Sequence, residues 1–579
     1  MSAIYEFGPF RLDASERLLV RHGETVCLPP KVFDTLVVLI EKNGRLIEKD
    51  ELISALWPDS FVEEATLARN ISDLRKALGE SAGDGKFIET VPKRGYRFTA
   101  VVRRSQPEEP TVIVEGRAEA DSGRIKSIAV LPFRPMSAVH DEYLELGIAD
   151  ALITRLSNIR QIVVRPTSTV RKYANSPSES VLAGVELKVD YVLDGAIQKT
   201  NDRMRVTAQL VSVADGTVLW AKKFDEGLTD IFTIEDVISE QVAAALGPKL
   251  SGEERRLIIR HDTNNAEAHR LCLKGRFYWN KRTREGYEKG IEQFNQAIAL
   301  DSSYARAYAG LADCYSMLGR FGLVRPAEIM PKAVSAANRA LALDDDLAES
   351  HASVALANHN YLWDWPRVEQ HYARAIVLNP SFATARHWYA VFLAETARAE
   401  EAIAQIKLAR DLDPVSLIIG ADMGMILYLC RDFDRAIEQC HATLEMDPAY
   451  FRARMWLGRA YEQKGLYREA IAEYQTARSL DETPYVLEWL ARTYSLAKNH
   501  IEADRLIQEL GQLSARVYVD SYYLASVYGA RGQKKEAIEG LERAREERSC
   551  WMCRLGVDPI FDCLRQEPEF ERLIMAIES

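Results

Sequence analysis

The 579-residue sequence predicts a multidomain α+β chain: a winged helix-turn-helix, then a small α/β domain with a mixed sheet, then an all-α solenoid of helix pairs. Three patterns carry this. Residues 61–78 have helical periodicity and lead, through a Gly/Ser/Asp linker, into a hairpin pattern with a basic tip; residues 125–250 run βαβαβββα; and residues 264–579 repeat. Several cores are expected at this length, because a single core seldom grows past ~250–300 residues.

Residues 3–28 alternate apolar and polar around turn signals at Gly8-Pro9 and His22-Gly23, which predicts a small antiparallel sheet. Residues 30–42 read as a helix stopped by Asn43-Gly44, and residues 49–57 as a second stopped by Pro58. On the third helix Leu67, Ile71, Leu74 and Leu78 share one apolar stripe, while Arg69 and Lys76 point away from it, flanked by Ser72 and Asp73. Glu63 and Glu64 suit the positive end of its dipole, and Gly79 is its stop signal. Residues 87–91 pair with 96–101 around Pro92-Lys93-Arg94-Gly95, placing two cations at the hairpin tip. A helix followed by such a hairpin is the layout of a winged helix, which puts the helix in a major groove and the wing along the backbone or in the adjacent minor groove.

These residues resemble the DNA-binding domain of OmpR/PhoB-type regulators, in the variant of CadC-like regulators. The likeness rests on Leu28-Pro-Pro-Lys-Val-Phe33, Asn43-Gly44-Arg45-Leu-Ile, Leu52-Ile-Ser-Ala-Leu-Trp57-Pro58, Leu74-Arg-Lys-Ala-Leu78 and Thr90-Val-Pro-Lys-Arg-Gly95-Tyr96-Arg97-Phe98. It spans about the first hundred residues. It implies a transcription regulator whose Arg69, Ser72, Asp73 and Lys76 face the major groove. Thr66, Arg75 and Tyr96 are expected on phosphates, and Lys93, Arg94 and Arg97 on the wing. The loop at Asp59, Ser60 and Phe61 is a candidate RNA polymerase contact, and dimerisation on DNA is implied by resemblance alone. No receiver domain is expected before the winged helix, so control is expected from the domains C-terminal to it.

Net charge is −11 overall, so positive charge must be local if the chain binds DNA. It is: residues 1–65 carry 7 Lys/Arg against 12 Asp/Glu, and residues 66–104 carry 9 against 4, a swing from −5 to +5. No apolar run of ~18 residues and no signal-peptide pattern is present, so a cytoplasmic chain without a membrane span is expected. CadC-like regulators carry a span after the DNA-binding domain; polar residues 103–124 stand there instead. Cys550-Trp-Met-Cys553 is a lone CxxC without a second pair to complete a zinc site, so packed thiols are expected and no metal or cofactor. Residues 79–86 look like a phosphate loop, but the spacing is one too long and Phe87 replaces the Ser/Thr that would hold magnesium. No catalytic motif survives, which predicts a protein that is not an enzyme.

The domains expected are 1–103 (winged helix), a linker 104–124, 125–250 (α/β) and 264–579 (repeats with a C-terminal cap). The α/β segment resembles the domain related to the N-terminal domain of TolB, on residues 128–133 and 216–224 with Trp220. Asp194-Gly195 and Asp215-Gly216 read as turn or bulge residues. In the repeats, Pro380, Pro414 and Pro448 are 34 apart, and Trp456-Leu-Gly458, Tyr461, Ala470, Tyr474 and Ala477 make the clearest tetratricopeptide copy. About eight pairs are expected, winding into a groove that takes a protein or peptide partner. The rival expectation is an interaction scaffold whose winged helix contacts protein instead of duplex DNA.

Overall fold

The computed structural model describes residues 4–13, 18–21, 24–26, 28–42, 44–56, 62, 64–80, 87–91, 94–100, 102–105, 126–136, 142–159, 161–174, 180–199, 203–227, 231–246, 260–480 and 483–578. They form two compact units, Met1–Gly123 and Arg124–Ser579.

In the first unit β1 (Ile4–Phe7), β2 (Phe10–Asp13), β3 (Leu18–Arg21) and β4 (Glu24–Thr25) make the expected antiparallel sheet. Helices α1 (Pro30–Glu41), α2 (Lys49–Leu56) and α3 (Glu64–Ala77) come next, with β5 (Leu46–Glu48) between the first two. The wing is β6 (Ile88–Val91) and β7 (Gly95–Phe98), paired Val91 to Gly95 and Ile88 to Phe98.

Two strands depart from the expectation. Residues 46–48 add β5 to the wing, giving the order β5-β7-β6, and residues 102–105 form β8 (Val102–Ser105) against β1. The stretch expected to end the domain and begin a linker is therefore a sheet strand. Gly95 is required where β7 crosses β5: a Cβ there would lie 1.9 Å from the Ile47 carbonyl oxygen. Phe7 stacks on Phe10 and meets Phe87 and Phe98 edge-on at 6.1 and 5.2 Å, so strand sheet and wing share one core.

In the second unit β9 (Lys126–Val130), β10 (Arg134–Pro135), β11 (Ile162–Val164), β12 (Tyr191–Lys199), β13 (Arg203–Ser212) and β14 (Val218–Gly227) alternate with α4 (Glu142–Leu156), α5 (Thr167–Val170), α6 (Ser180–Glu186) and α7 (Ile231–Leu246). The sheet order β11-β9-β12-β13-β14 is parallel through the first three and antiparallel after them, a mixed sheet. Asp215-Gly216 is a turn, with Gly216 at φ +70. Asp194-Gly195 is not: both lie inside β12, where a Cβ on Gly195 would meet the Thr207 carbonyl oxygen at 2.2 Å and the Phe133 ring at 2.6 Å. The glycine answers a close approach, not a reversal.

Eight helix pairs complete the chain's helical part among the described residues, from Ala266–Trp279 with Arg284–Leu300 to Ser521–Ala530 with Lys534–Glu546. The small positions of the repeat pattern are the points of contact: a Cβ on Gly458 would fall 2.4 Å from the Tyr474 ring. After the last pair, Met552–Arg554, Pro559–Leu564 and Pro568–Glu578 form the terminal segment. Its Arg554 is wholly buried, 4.3 Å from the Trp551 ring centroid, and pairs with Asp558, which also takes Arg459 at 2.8 Å.

The α/β region and the repeats are one unit because the first is bolted to the second. Arg165 donates to the carbonyl oxygens of Asp411 (2.6 Å) and Leu412 (3.1 Å), Ser168 Oγ to Asp413 (2.5 Å), and Arg276 pairs with Asp150.

Candidate nucleic-acid interface

The outer helix of the first unit is held by the stripe expected for it. Leu67, Ile71, Leu74 and Leu78 are each no more than 2% exposed and pack on α1 and α2. Burying four such side chains contributes roughly 1.5–3 kcal/mol apiece. Gly79 ends the helix at φ +72: its N–H donates to the Lys76 carbonyl (3.1 Å), and that of Glu80 to Arg75 (2.9 Å), the paired bonds of a left-handed helix cap.

The opposite face is open. Thr66, Arg69, Ser72 and Lys76 are exposed and Asp73 is half-buried. Among the described residues Arg69 has no side-chain hydrogen bond or ion pair. Lys76 Nζ lies 3.8 Å from Asp73, one helical turn back, so the carboxylate steadies that cation on the helix surface. Arg94 is exposed at the described edge of the wing, and Arg97 reaches Glu89 across the strands at 3.5 Å.

The family model "Transcriptional regulatory protein, C terminal" matches residues 23–98, which contain this helix and wing. "HilA/YgeH-like transcriptional regulator, second domain" matches residues 124–240, and "Tetratricopeptide repeat" matches residues 424–485. Residues 23–98 are a winged-helix domain of the OmpR/PhoB type. Over 441 residues the chain is 25% identical to the transcriptional regulator HilA of Salmonella typhi, covering 75% of each chain. It is 33% identical over 107 residues to the transcriptional activator CadC of Escherichia coli, 18% of this chain and 21% of that one. A protein named putative adenylate cyclase 3, of Rhizobium meliloti, is 28% identical over 235 residues, 40% of each chain.

In this winged helix two expected phosphate contacts have other employment. Tyr96 is only 7% exposed and its ring belongs to the core, because β7 runs inside the three-stranded wing instead of at its edge. Arg75 turns inward: its guanidinium donates to the Ile88 carbonyl (2.7 Å) and to Thr90 Oγ1 (2.8 Å), clamping helix to wing. A second clamp is one that sequence reasoning missed. Buried Glu80 accepts from the N–H groups of Phe87 (3.1 Å) and Ile88 (3.3 Å), across the linker. Its position right after the helix-stop glycine was the available signal. Lys93 and the loop of Asp59, Ser60 and Phe61 lie outside the described residues.

Elsewhere, one Nε2, one carboxylate oxygen and one Sγ from His359, Glu395 and Cys553 meet within 4.8 Å. Glu395 is already held by Arg320 at 2.9 Å and by His359 at 2.8 Å, so a dication would compete with a resident guanidinium. No described helix is long and apolar enough to cross a membrane.

Proposed function

We propose that this regulator recognises specific sites on duplex DNA by laying the outer face of α3 in the major groove, with Arg69, Ser72, Asp73 and Lys76 toward base edges. Thr66 serves a phosphate, and Lys93, Arg94 and Arg97 serve the backbone beside it. The observation that carries the reading is Arg69, an exposed guanidinium with no partner among the described residues, opposite four buried aliphatic side chains. An arginine held out on a rigid helix is the commonest reader of guanine, through its O6 and N7.

On this reading residues 1–103 bind DNA in the cytoplasm, 104–124 include a linker, 125–250 form the α/β part and 264–579 hold a protein or peptide partner that sets the regulator's activity. The protein works by binding, without catalysis. The homology to named transcriptional regulators supports the DNA-binding part, and the repeat pattern supports the partner.

Genome-wide mapping of bound fragments with the intact chain and with residues 1–105 tests it. Both should enrich one shared sequence motif, with affinity that falls steeply as salt rises. No motif and no salt dependence would favour a scaffold whose winged helix contacts protein.

A further inference from the structure

The concave side of the repeats closes on a cavity of about 780 Å³. Arg452 over the Phe321 ring (5.1 Å) and Arg325 over Tyr518 (5.4 Å) draw early and late repeats together beside it. Such a volume falls in the range of small-molecule sites, ~300–1,000 Å³. Its wall is aromatic, including Trp388, Trp456, Trp489, Tyr523 and Trp551.

Within this wall Tyr287, Tyr372, Thr483, Trp489 and Glu488 carry buried polar atoms with no hydrogen-bond partner among the described residues, and in Glu488 both carboxyl oxygens are such atoms. Glu488 is 0% exposed. The charged group acting on it is another lining carboxylate, Asp520, and burial pushes both carboxyls up, Asp520 to about 6. Folded chains pair nearly all their buried polar groups, so a carboxyl orphaned beside a cavity calls for an absent partner. The same aromatic rings already support cations. Arg459 sits 5.0 and 5.1 Å from the Trp456 and Trp489 ring centroids, and Arg554 4.3 Å from Trp551. The five lining Lys and Arg residues, by contrast, are engaged: Lys281 on Phe277 (4.7 Å), Arg282 on Trp279 (3.7 Å), Arg284 on the Leu323 carbonyl oxygen, Arg320 on Glu395 (2.9 Å) and Arg452 on Asp422 (2.6 Å).

We propose that this cavity binds a small organic cation, a protonated amine on an aromatic or aliphatic body, with Glu488 as its counter-ion and the tryptophan faces as its wall. The inference goes beyond the DNA reading and is independent of it, because ligand binding is measured without DNA.

The test is calorimetric titration of the full chain with 2-phenylethylamine, 2-phenylethanol and phenylacetate, which share a body and differ in charge. The amine should bind at least tenfold tighter than the alcohol, and phenylacetate should give no heat. Glu488→Gln should bring the amine down to the alcohol's affinity while leaving the alcohol unchanged, which also shows that the cavity is intact. Equal binding of the three probes, preference for phenylacetate, silence of all three, or a Gln chain that binds the amine like the natural one would each overturn the proposal. Should the Gln chain fail to fold, the ranking of probes on the natural chain decides.

Discussion

Arg75 and Ile88 are joined by a hydrogen bond of 2.7 Å from guanidinium to main-chain oxygen, and the same nitrogen reaches Thr90 Oγ1 at 2.8 Å. The bond ties the outer helix to the first wing strand, so the two surfaces offered to DNA keep one spacing. Arg75→Leu retains the aliphatic stem and deletes both donors. The expected loss is about 1–3 kcal/mol of stability, read by urea unfolding of residues 1–105. An unchanged midpoint would mean the clamp contributes nothing.

Exposed Arg69 and the wing cations should behave differently on DNA. Arg69→Ala is expected to cost about 1–3 kcal/mol at one position of the site and to relax specificity there. Lys93→Ala or Arg94→Ala should weaken all sequences alike and flatten the salt slope by roughly one. Gel-shift titrations on site variants across salt separate the two patterns; identical behaviour of Arg69 and the wing variants would refute the division of roles.

Gly95→Ala drives a methyl into the Ile47 carbonyl oxygen, 1.9 Å from the ideal Cβ, and backbone cannot step aside. A loss above about 2 kcal/mol is expected, with β5 parting from β7. Gly44→Ala is the control: its Cβ meets nothing within 4 Å, and only its φ of +77 opposes the change, at about 1–2 kcal/mol. Thermal unfolding of the two variants should rank them in that order.

Asp413 holds the α/β part to the repeats by accepting from Ser168 and Thr169, and it is 2% exposed. Asp413→Ala strands the buried Thr169 hydroxyl in the seam, at about 1–3 kcal/mol, while exposed Ser168 turns to water. Calorimetry should then resolve two transitions where the natural second unit gives one, with proteolysis starting in the α/β part. A single sharp transition at the natural temperature would show the seam is not set by this residue.

Buried Glu488 also predicts a pH signature. Burial and the neighbouring Asp520 charge hold its carboxyl well above the ordinary 4.5, so the folded chain keeps a proton that the unfolded chain has released. Stability from this group is complete below pH 4.5 and is lost as pH rises toward its folded value. Glu488→Gln cannot ionise, so it should gain on the natural chain from about pH 5 upward, by at most about 1.4 kcal/mol per pH unit. Parallel stability curves of the two chains would show that Glu488 is not protonated in the fold.

Much of the outer helix was legible without coordinates, because Leu67, Ile71, Leu74 and Leu78 announce a helical period that any short window reveals. The inward bonds of Arg75 and the burial of Tyr96 were not legible, for the opposite reason. A cation on the flank of a helix and a tyrosine beside a basic turn look equally suited to phosphate until the strands that engage them are in place. Residues 46–48 and 102–105 are too short to announce themselves and become strands only against partners far along the chain.

By itself the amino-acid sequence determined where helices and wing begin, that repeats of 34 residues succeed them, and which face of α3 is polar, since all of these are set by neighbours within a few turns. Tertiary structure alone decided which of the cations are spent inside, that the α/β part and the repeats make one body, and that a carboxyl with no partner among the described residues stands in the wall of a cavity. Those outcomes depend on groups separated by tens to hundreds of residues, such as Ser168 and Asp413, 245 apart in the chain, and no periodicity records such a meeting.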